Sequence, residues 1–490
     1  METITQRCTE EKEMRNLTML TDLYQLTMMY GYFKENMQEN EAVFDLFFRP
    51  KEEIVYEVMA GLDSVINYIN QLHFDEYDLA YLRSLNLFDE DFLTYLGQLK
   101  FTGDIYGMPE GTIVFPYEPL LRVRAPIMQA QLVETALLTF VNHQTLIATK
   151  ASRICYAASG DSVLEFGLRR AQGADAGIYG ARAAIIGGCN ATSNVLTGQM
   201  FDVPVSGTHA HSWVMSFPDE ISSFRAYAKI FPDTCLLLVD TYDTIRSGVP
   251  NAIQVFDELR AAGHEPVGIR LDSGDLAYLS KKARKMLDDA GYPNAKIAAS
   301  SDLDEYVIRD LKTQGSTITV WGVGTRLITS QDNPALGGVY KMSAEIINGK
   351  IFPKIKLSDN AAKVTNPGYK KVFRLYDQQG MAIADMIALD HEVIDQTKPL
   401  RIFDPIQTYK QMVLTDFTVR ELLVPVFKNG KQVYTSPDVK QIQAYARAEN
   451  ASMWDEYKRF QMPHTYKVDL SDELYQLKDE LIHSLLGDRK

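Results

Sequence analysis

The sequence lacks the cysteine patterns that build metal clusters or disulfide frameworks. Its 490 residues include four cysteines, which lie far apart and form no C-x-x-C motif. This usage is typical of a protein from a reducing environment, so we expect a cytoplasmic location. Residues 1–15 are polar and carry several glutamates, unlike a signal peptide.

The chain also lacks long apolar runs and an excess of basic residues. No run approaches the roughly 18 apolar residues that a membrane helix needs, so we expect no membrane segment. The 64 acidic residues outnumber the 50 lysines and arginines, and the net charge is −14. This balance argues against a nucleic-acid binder and against a polybasic membrane-surface protein. It remains compatible with a locally basic pocket for a small anionic substrate.

The common glycine motifs for nucleotide binding are absent as well. There is no G-x-x-x-x-G-K-[ST] and no G-x-G-x-x-G, which excludes a Walker loop and a Rossmann fingerprint. Residues 236–244 superficially resemble the acidic segment of type I phosphoribosyltransferases. However, Asp240 and Asp243 are three residues apart rather than adjacent, and the expected Thr-Gly does not follow. We therefore reject that assignment.

Length and patterning predict an α/β protein of two or three domains. Residues 1–126 mix helical and strand patterns and predict an α+β domain. Residues 127–345 begin with the longest helical pattern, 127–151, and continue as repeated βα units, which predict an irregular βα barrel. Residues 346–490 predict antiparallel strands and then amphipathic helices. We expect these to pack partly with the N-terminal domain, so that the barrel is inserted in or joined to it.

Eight short apolar runs carry the barrel prediction. They are Val163–Phe166, Ala183–Ile186, Val203–Val205, Leu236–Val239, Val267–Leu271, Ile297–Ala299, Ile318–Trp321 and Val339–Met342. Seven of these are followed by polar or glycine-containing clusters, and the carboxyl ends of barrel strands form the functional face. The one-sided placement of these clusters therefore predicts a single site.

The clusters offer groups suited to a sugar phosphate. Arg169 and Arg270 supply charged forks for carboxylate or phosphate, whereas Arg170 is expected to be structural. The turn from Gly322 through Gly324 to Thr325 can present backbone N–H groups to a phosphate. Three aspartates can accept hydrogen bonds from ribose hydroxyls or hold Mg²⁺, namely Asp240, Asp272 and Asp302.

Two histidines, His209 and His211, follow a short strand pattern and the Ser206-Gly207 turn. A neutral imidazole can carry a proton, accept a phosphate or bind a metal. The alternative is a turn whose histidines only form local hydrogen bonds. The segment alone does not decide between these interpretations.

Six motifs in this order resemble the nicotinate phosphoribosyltransferase family of type II phosphoribosyltransferases. They are residues Thr21–Gln25, Glu165–Gly173, Ser206–Trp213, Val239–Thr244, Ile269–Gly274 and Gly322–Thr325. The resemblance implies that nicotinate and phosphoribosyl pyrophosphate are joined to give nicotinate mononucleotide and pyrophosphate. It also implies Mg²⁺, and ATP as a co-substrate whose phosphate is transferred to His211 as the catalytic, modified residue.

The same resemblance assigns roles to the other site residues. Tyr24 and Phe166 would sandwich the pyridine ring, with Tyr24 contributed by a neighbouring subunit of a homodimer. Three residues would address the ring carboxylate or a nearby phosphate, namely Arg169, Thr208 and Arg270. Asp302 would contact ribose, and the 5-phosphate would lie against Gly322, Gly324 and Thr325.

Three other functions are compatible with parts of the pattern. One is the related enzyme class that uses nicotinamide. Another is a non-catalytic regulator that only binds the nucleotide, although intact Arg169, His211 and Asp272 argue against a site that has lost its catalytic activity. The third is an unrelated barrel aldolase or hydrolase, for which Lys150 is the only near candidate for a Schiff base.

Overall fold

The computed structural model describes residues 16–51, 54–360, 363–405 and 407–486, which divide into two compact units. The first unit contains the described residues up to Leu146 and those from Ala335 onward. The second unit is continuous and contains Ile147–Pro334.

The N-terminal part of the first unit alternates helices with strands. Its helices are α1 (Leu23–Lys34), α2 (Leu62–Gln71), α3 (Glu76–Ser84), α4 (Glu90–Gln98) and α5 (Ile127–Leu132). Its strands are β1 (Glu41–Phe48), β2 (Glu57–Val58), β3 (Asp104–Gly107), β4 (Ile113–Val114) and β5 (Leu121–Pro126). Helix α6 (Glu134–Ala158) then carries the chain from the first unit into the second.

The second unit alternates short strands with helices. The strands are β6 (Ser162–Glu165), β7 (Ala191–Thr192), β8 (Leu236–Leu238), β9 (Gly268–Leu271), β10 (Lys296–Ser301) and β11 (Val320–Val323). The helices are α7 (Ala174–Ile186), α8 (Val195–Phe201), α9 (His211–Met215), α10 (Glu220–Ile230), α11 (Val249–Ala261), α12 (Leu276–Asp289), α13 (Glu305–Thr313) and α14 (Thr325–Ile328). Short 3₁₀ turns lie at Leu168–Arg170 and Pro232–Thr234, and a π turn lies at Thr244–Gly248.

The C-terminal part returns to the first unit. Its strands are β12 (Gly338–Ile347), β13 (Lys350–Pro353), β14 (Lys370–Tyr376), β15 (Ala382–Leu389), β16 (Leu400–Phe403), β17 (Gln411–Leu414), β18 (Thr418–Glu421), β19 (Val424–Lys428), β20 (Lys431–Gln432) and β21 (Val468–Leu470). Its helices are α15 (Val439–Ala451), α16 (Asp455–Lys458) and α17 (Asp472–Leu486).

Strand β1 lies inside a seven-stranded sheet of the first unit, in the order β13-β12-β1-β5-β3-β19-β20. It pairs antiparallel with β12 on one side and with β5 on the other. Its residues Ala42 to Phe48 are all buried, as an apolar strand inside a covered sheet requires. The β19-β20 hairpin turns at Asn429 and Gly430, whose φ values of 48° and 72° are left-handed. This confirms the hairpin predicted from the Asn-Gly pair.

The second unit contains a six-stranded parallel sheet in the order β7-β6-β11-β10-β9-β8. Its strands are short and mainly apolar, as is usual for parallel strands. The helices that follow β9 and β10 are each capped by an aspartate. Asp275 accepts from Tyr278 N at the start of α12, and Asp304 accepts from Val307 N at the start of α13. The α/β class and the βα alternation are confirmed.

The closed form of the predicted barrel is not confirmed. Within the described residues the sheet is open, because its outer strands β7 and β8 do not pair with each other. Three of the eight predicted strands explain the difference. Val203–Val205 forms no strand and makes only an isolated bridge from Val205 to Thr192 of β7. Ala183–Ile186 is the end of helix α7, and Val339–Met342 lies in β12 of the antiparallel sheet.

Several local predictions also need correction. The helical pattern at 127–151 is two helices that are separated at Val133, and α1 continues past Gly31 to Lys34. The C-terminal helical stretch is interrupted by β21. None of the described helices is both long and apolar enough to span a membrane.

Candidate active site

The polar clusters of the second unit lie together at the carboxyl edge of the parallel sheet. This follows from topology for most of them, because the strands run in one direction and these clusters come at or just after a strand end. The predicted cluster Gly187–Asn190 is the exception, because it follows helix α7 and precedes β7. A cavity of about 240 Å³ opens at this edge. Its lining includes the apolar residues Leu164, Leu236 and Val320 together with Phe166 and Arg270.

Arg270, in β9, is the most highly connected side chain at this edge. Its Nε donates to Ser300 Oγ at 2.8 Å, and one terminal nitrogen donates to Thr208 Oγ1 at 2.8 Å. The other terminal nitrogen donates to Asp272 Oδ1 at 3.0 Å. The side chain is only 15% exposed, so its charge is held in one orientation. Three predicted site residues, Thr208, Arg270 and Asp272, are thus in direct contact.

His211 is the first residue of α9 and reaches the same group of residues. Its Nδ1 lies 3.1 Å from Thr241 Oγ1. Its Nε2 lies 3.6 Å from Asp272 Oδ2 and 4.0 Å from Asp240 Oδ1. The side chain is 38% exposed, so a ligand can approach it from solvent.

Asp240 is buried below His211, with a side chain that is only 2% exposed. Its Oδ2 accepts hydrogen bonds from the backbone N–H of Asp272 at 2.8 Å and from Ser273 Oγ at 2.7 Å. Its Oδ1 has no hydrogen-bond partner among the described residues. A buried carboxylate oxygen without a partner is costly, and it fits a cation or a ligand hydroxyl at that point.

The neighbouring carboxyl of Asp272 is ionised. Burial raises its pKa, but hydrogen bonds from Ser300 and Arg270 and the positive charge of Arg270 outweigh that effect. The pKa of Asp272 therefore lies below its usual value. Asp240 and Asp272 together offer two carboxylates to a cation. No group of three or more possible metal-ligating side chains occurs in the parts of the chain that the structure describes.

Gly322 in β11 and Gly324 just after it make room for Phe166. A Cβ atom placed on Gly322 would lie 2.7 Å from the Phe166 ring, and one on Gly324 would lie 3.2 Å from the Phe166 carbonyl oxygen. Phe166 is also fixed through its backbone N–H, which donates to Val323 O at 2.8 Å. Gly324 precedes α14, whose first residue, Thr325, is partly exposed at the same edge.

The turn that carries Phe166 depends on Glu165, which sequence reasoning did not single out. Its fully buried carboxylate accepts hydrogen bonds from Gly167 N and, at 2.6 Å, from Thr192 Oγ1. Burial raises the pKa of Glu165, and both hydrogen bonds oppose that rise. The sequence signal was a single glutamate at the end of an apolar strand.

His209 is the second residue that sequence reasoning left without a role. It is only 8% exposed, and its Nε2 accepts a hydrogen bond from Leu238 N at 3.2 Å. Burial lowers its pKa to about 4, and the nearby positive charge of Arg270 acts in the same direction. The ring is therefore neutral at physiological pH.

Three predicted site residues stand apart from this hydrogen-bonded group. Arg169 is exposed on the 3₁₀ turn after β6, and its guanidinium has no partner among the described residues; the same is true of Arg170. Asp302 is exposed after β10, beside Ser301, whose φ of 142° is unusual for a residue with a side chain. Tyr24 belongs to the first unit, where it is 48% exposed on α1.

Lys150 has a structural environment. Its ammonium group lies 2.7 Å from Glu305 Oε2 and 2.6 Å from Asp332 Oδ2, and the side chain is 6% exposed. A lysine that forms a Schiff base must present a neutral, accessible amine. Lys150 is instead buried and paired with two carboxylates, which argues against the aldolase alternative.

Comparisons with known proteins agree along most of the chain. Residues 162–390 match a family model described as nicotinate phosphoribosyltransferase (NAPRTase) family. Residues 19–142 and 369–478 match the models for the N-terminal and C-terminal domains of the same enzyme.

Individual relatives carry the same name. The chain is 49% identical to the nicotinate phosphoribosyltransferase of Bacillus subtilis over 96% of both proteins. It is 37% identical to that of Dictyostelium discoideum, over 95% of this chain and 88% of the relative. The crystal structure of human nicotinic acid phosphoribosyltransferase superposes with a TM-score of 0.82 at 31% identity, covering 96% of this chain and all of the human one.

Proposed function

The chain belongs to the nicotinate phosphoribosyltransferase family, and we propose on this basis that it joins nicotinate to phosphoribosyl pyrophosphate. The products are nicotinate mononucleotide and pyrophosphate, and the reaction is the first step of NAD salvage. The observation that carries the proposal is the 49% identity over 96% of the chain to an enzyme of that name. The contact group around Arg270 supplies the matching chemistry.

In this proposal Arg270 and Arg169 receive the negative charges of the substrates. The bond between ribose C1 and pyrophosphate breaks as the pyridine nitrogen bonds to C1, through a transition state with oxocarbenium character. The pyridine nitrogen is unprotonated at neutral pH, so no general base is required. Catalysis therefore depends on positioning and on charge stabilisation. Phe166 supports the pyridine ring, while Asp302 accepts from ribose hydroxyls and Gly324 and Thr325 meet the 5-phosphate.

The carboxylates of Asp240 and Asp272 would hold Mg²⁺. Two carboxylate oxygens are available to the ion: Oδ1 of Asp240, which has no hydrogen-bond partner among the described residues, and Oδ2 of Asp272. Both lie on the same side of the site, within 4.0 Å of His211 Nε2. Mg²⁺ is commonly held by one or two carboxylates together with substrate phosphates and water, so two side chains suffice. When bound, the ion would neutralise charge on the departing pyrophosphate.

We further propose that ATP phosphorylates His211. A ring nitrogen attacks the γ-phosphorus, the N–P bond forms as the bond to ADP breaks, and later hydrolysis releases phosphate. The support is the position of His211, which is partly exposed to solvent and lies beside the carboxylates of Asp240 and Asp272. A phosphate there adds charge and acceptor oxygens, which can tighten substrate binding.

A homodimer with a shared site completes the proposal. Tyr24 would cover the pyridine ring from the neighbouring copy. The support is an apolar surface at α1, where Leu20, Leu23, Tyr24 and Met28 are each 37% exposed or more. A cytoplasmic location fits the described cysteines, none of which forms a disulfide.

The assay that tests the proposal compares substrates. Purified enzyme receives nicotinate, nicotinamide or quinolinate with phosphoribosyl pyrophosphate, with and without ATP, and the mononucleotide is quantified. We expect turnover with nicotinate, stimulated by ATP. Preference for nicotinamide would favour the related amide-using class, and nucleotide binding without turnover would favour a regulator.

A further inference from the structure

The two outer strands of the parallel sheet, β7 and β8, are connected through the segment Val203–Ala210. At one end this segment adds to β7, because Thr192 N donates to Pro204 O at 3.0 Å and Ser206 N donates to Thr192 O at 2.9 Å. At the other end the His209 imidazole accepts from Leu238 N of β8 at 3.2 Å. The segment thus spans the gap between β7 and β8, the two outer strands that do not pair with each other.

The bond at β8 replaces one that a further strand would make. Successive N–H groups of a strand point to opposite sides. Val239 N donates to Arg270 O of β9, so Leu238 N points away from β9 toward the open side. A buried N–H without an acceptor costs roughly 1–3 kcal/mol. His209 Nε2 provides that acceptor in place of a strand carbonyl.

Burial beside two aromatic rings favours an uncharged His209 ring, and Nδ1 has no hydrogen-bond partner among the described residues, so the ring hydrogen-bonds through Nε2 alone. Tyr227 of α10 packs against it at a ring distance of 4.7 Å, and Phe224 lies at 6.4 Å. An acceptor at Nε2 requires a neutral ring with its proton on Nδ1. The depressed pKa of His209 agrees with a neutral ring.

The residues on either side of His209 are those of the proposed site. Thr208 Oγ1 accepts from Arg270 at 2.8 Å, and His211 follows two residues later beside Asp272. We propose that His209 is a positioning residue whose imidazole fastens the loop bearing Thr208 and His211 to β8. Its role for His211 rests on the proposed function, whereas the bond to Leu238 does not.

Two substitutions separate this role from simple packing. In His209→Gln the side-chain oxygen stands close to the position of Nε2 and can still accept from Leu238 N. In His209→Leu the bulk remains but the acceptor is lost. A residue that only fills space would tolerate Leu at least as well as Gln. His264→Gln is a suitable control, because His264 lies in the same unit but is 34% exposed and pairs with Asp233.

The first measurement is hydrogen exchange at the Leu238 amide in the intact enzyme without substrate. We expect exchange to become at least ~10-fold faster in His209→Leu, with His209→Gln close to wild type, since a factor of ten corresponds to a typical hydrogen-bond contribution. Unchanged exchange in His209→Leu would overturn the proposal. Because no substrate is present, this outcome is independent of whether the proposed reaction is correct.

The second measurement covers the case in which His209→Leu fails to fold. The ring nitrogen shifts of His209 in the wild-type enzyme report its tautomer. The proposal requires a proton on Nδ1 and an unprotonated Nε2 near neutral pH. Observation of the opposite tautomer overturns it without any variant.

The kinetic comparison connects the bond to His211. We expect ATP-coupled kcat to fall by roughly 10- to 100-fold in His209→Leu and to be largely restored in His209→Gln, as misplacement of a reacting group by about 1 Å can cost ~10²-fold. Equal losses in both variants would show that the imidazole acts through something other than this acceptor.

Discussion

His211 Nε2 lies 3.6 Å from Asp272 Oδ2, and the other oxygen of that carboxylate accepts a hydrogen bond from Arg270. Asp272 therefore stands between the proposed phosphate acceptor and the main cation of the site. A phosphate on His211 would place new negative charge beside Asp272 and within the influence of Arg270. In the proposed mechanism, this arrangement couples the state of His211 to Arg270, the group proposed to receive the substrate.

Replacement of His211 by alanine should abolish ATP hydrolysis and leave a slow, ATP-independent transfer, because the phosphate acceptor is lost while Arg270 and Asp272 remain. The measurement is ADP release and acid-labile phosphate on the protein. His264→Ala, which removes an exposed imidazole from the same unit, should behave as wild type. Persistent ATP hydrolysis in His211→Ala would contradict the phosphohistidine assignment.

Arg270→Lys should raise the KM for both substrates by about 10-fold or more, since an ammonium cannot reproduce three directed hydrogen bonds from a planar fork. Steady-state kinetics with each substrate in turn will measure the effect. Arg225, whose exposed guanidinium donates hydrogen bonds to the Glu258 carboxylate, is the control: Arg225→Lys should leave both KM values unchanged. A near-normal KM in Arg270→Lys would mean that the fork does not contact substrate.

Gly322→Ala should displace the Phe166 ring, because the added Cβ would lie 2.7 Å from it. We expect a KM for nicotinate that is raised roughly 5- to 10-fold, together with about 1–3 kcal/mol of lost stability from overpacking. In the control Gly31→Ala, the added Cβ meets no atom within 4 Å. Loss of stability without any change in KM would exclude a role for Phe166 in ring binding.

Tyr24→Ala should raise the KM for nicotinate more than that for phosphoribosyl pyrophosphate, because ring stacking concerns the pyridine alone. Tyr77→Ala, at an 88% exposed position of the same unit, is the matched control. Equal effects on both KM values would count against stacking.

Acidification should destabilise the protein through His209. Its folded-state pKa is about 4, below the ordinary value of 6.5, so between these values the unfolded chain binds the proton and the folded chain does not. Stability therefore falls as pH drops through this window, by on the order of 1–2 kcal/mol between pH 7 and 5. Tyr227 and Phe224 pack against the ring, and the nearby positive charge of Arg270 strengthens the effect.

Urea unfolding of the wild type and of His209→Gln at pH 7 and pH 5 measures this contribution. The wild type should lose more stability than the variant over that interval. A parallel loss in both proteins would assign the acid sensitivity to other groups.

Much of the site can be predicted from the sequence because parallel strands share one carboxyl edge. Polar residues that follow successive apolar runs must then converge, as Thr208, Arg270 and Asp272 do. What each residue touches is not given by this rule. The acceptor role of His209 depends on Leu238, 29 residues away, and on which side of β8 is open.

A short apolar run does not determine whether it forms a helix or a strand, nor which strand it pairs with. Ala183–Ile186 is compatible with a strand or with a buried helical turn, and the preceding residues continue it as helix α7. Val339–Met342 is a strand, as predicted, but its pattern does not reveal that it pairs with β1. In both cases tertiary packing decides what local pattern cannot.

The pairing of β1 with β12 has a consequence for biosynthesis. Ser343 Oγ donates a hydrogen bond to Val43 O across 300 residues of chain. At ribosomal rates of about 5–20 residues per second, the partner edge of β1 emerges roughly 15–60 s after β1 itself. In the meantime the continuous second unit can acquire its own structure, while β1 presents an uncovered apolar edge. We therefore expect molecular chaperones to bind the amino-terminal third of the nascent polypeptide until β12 has emerged.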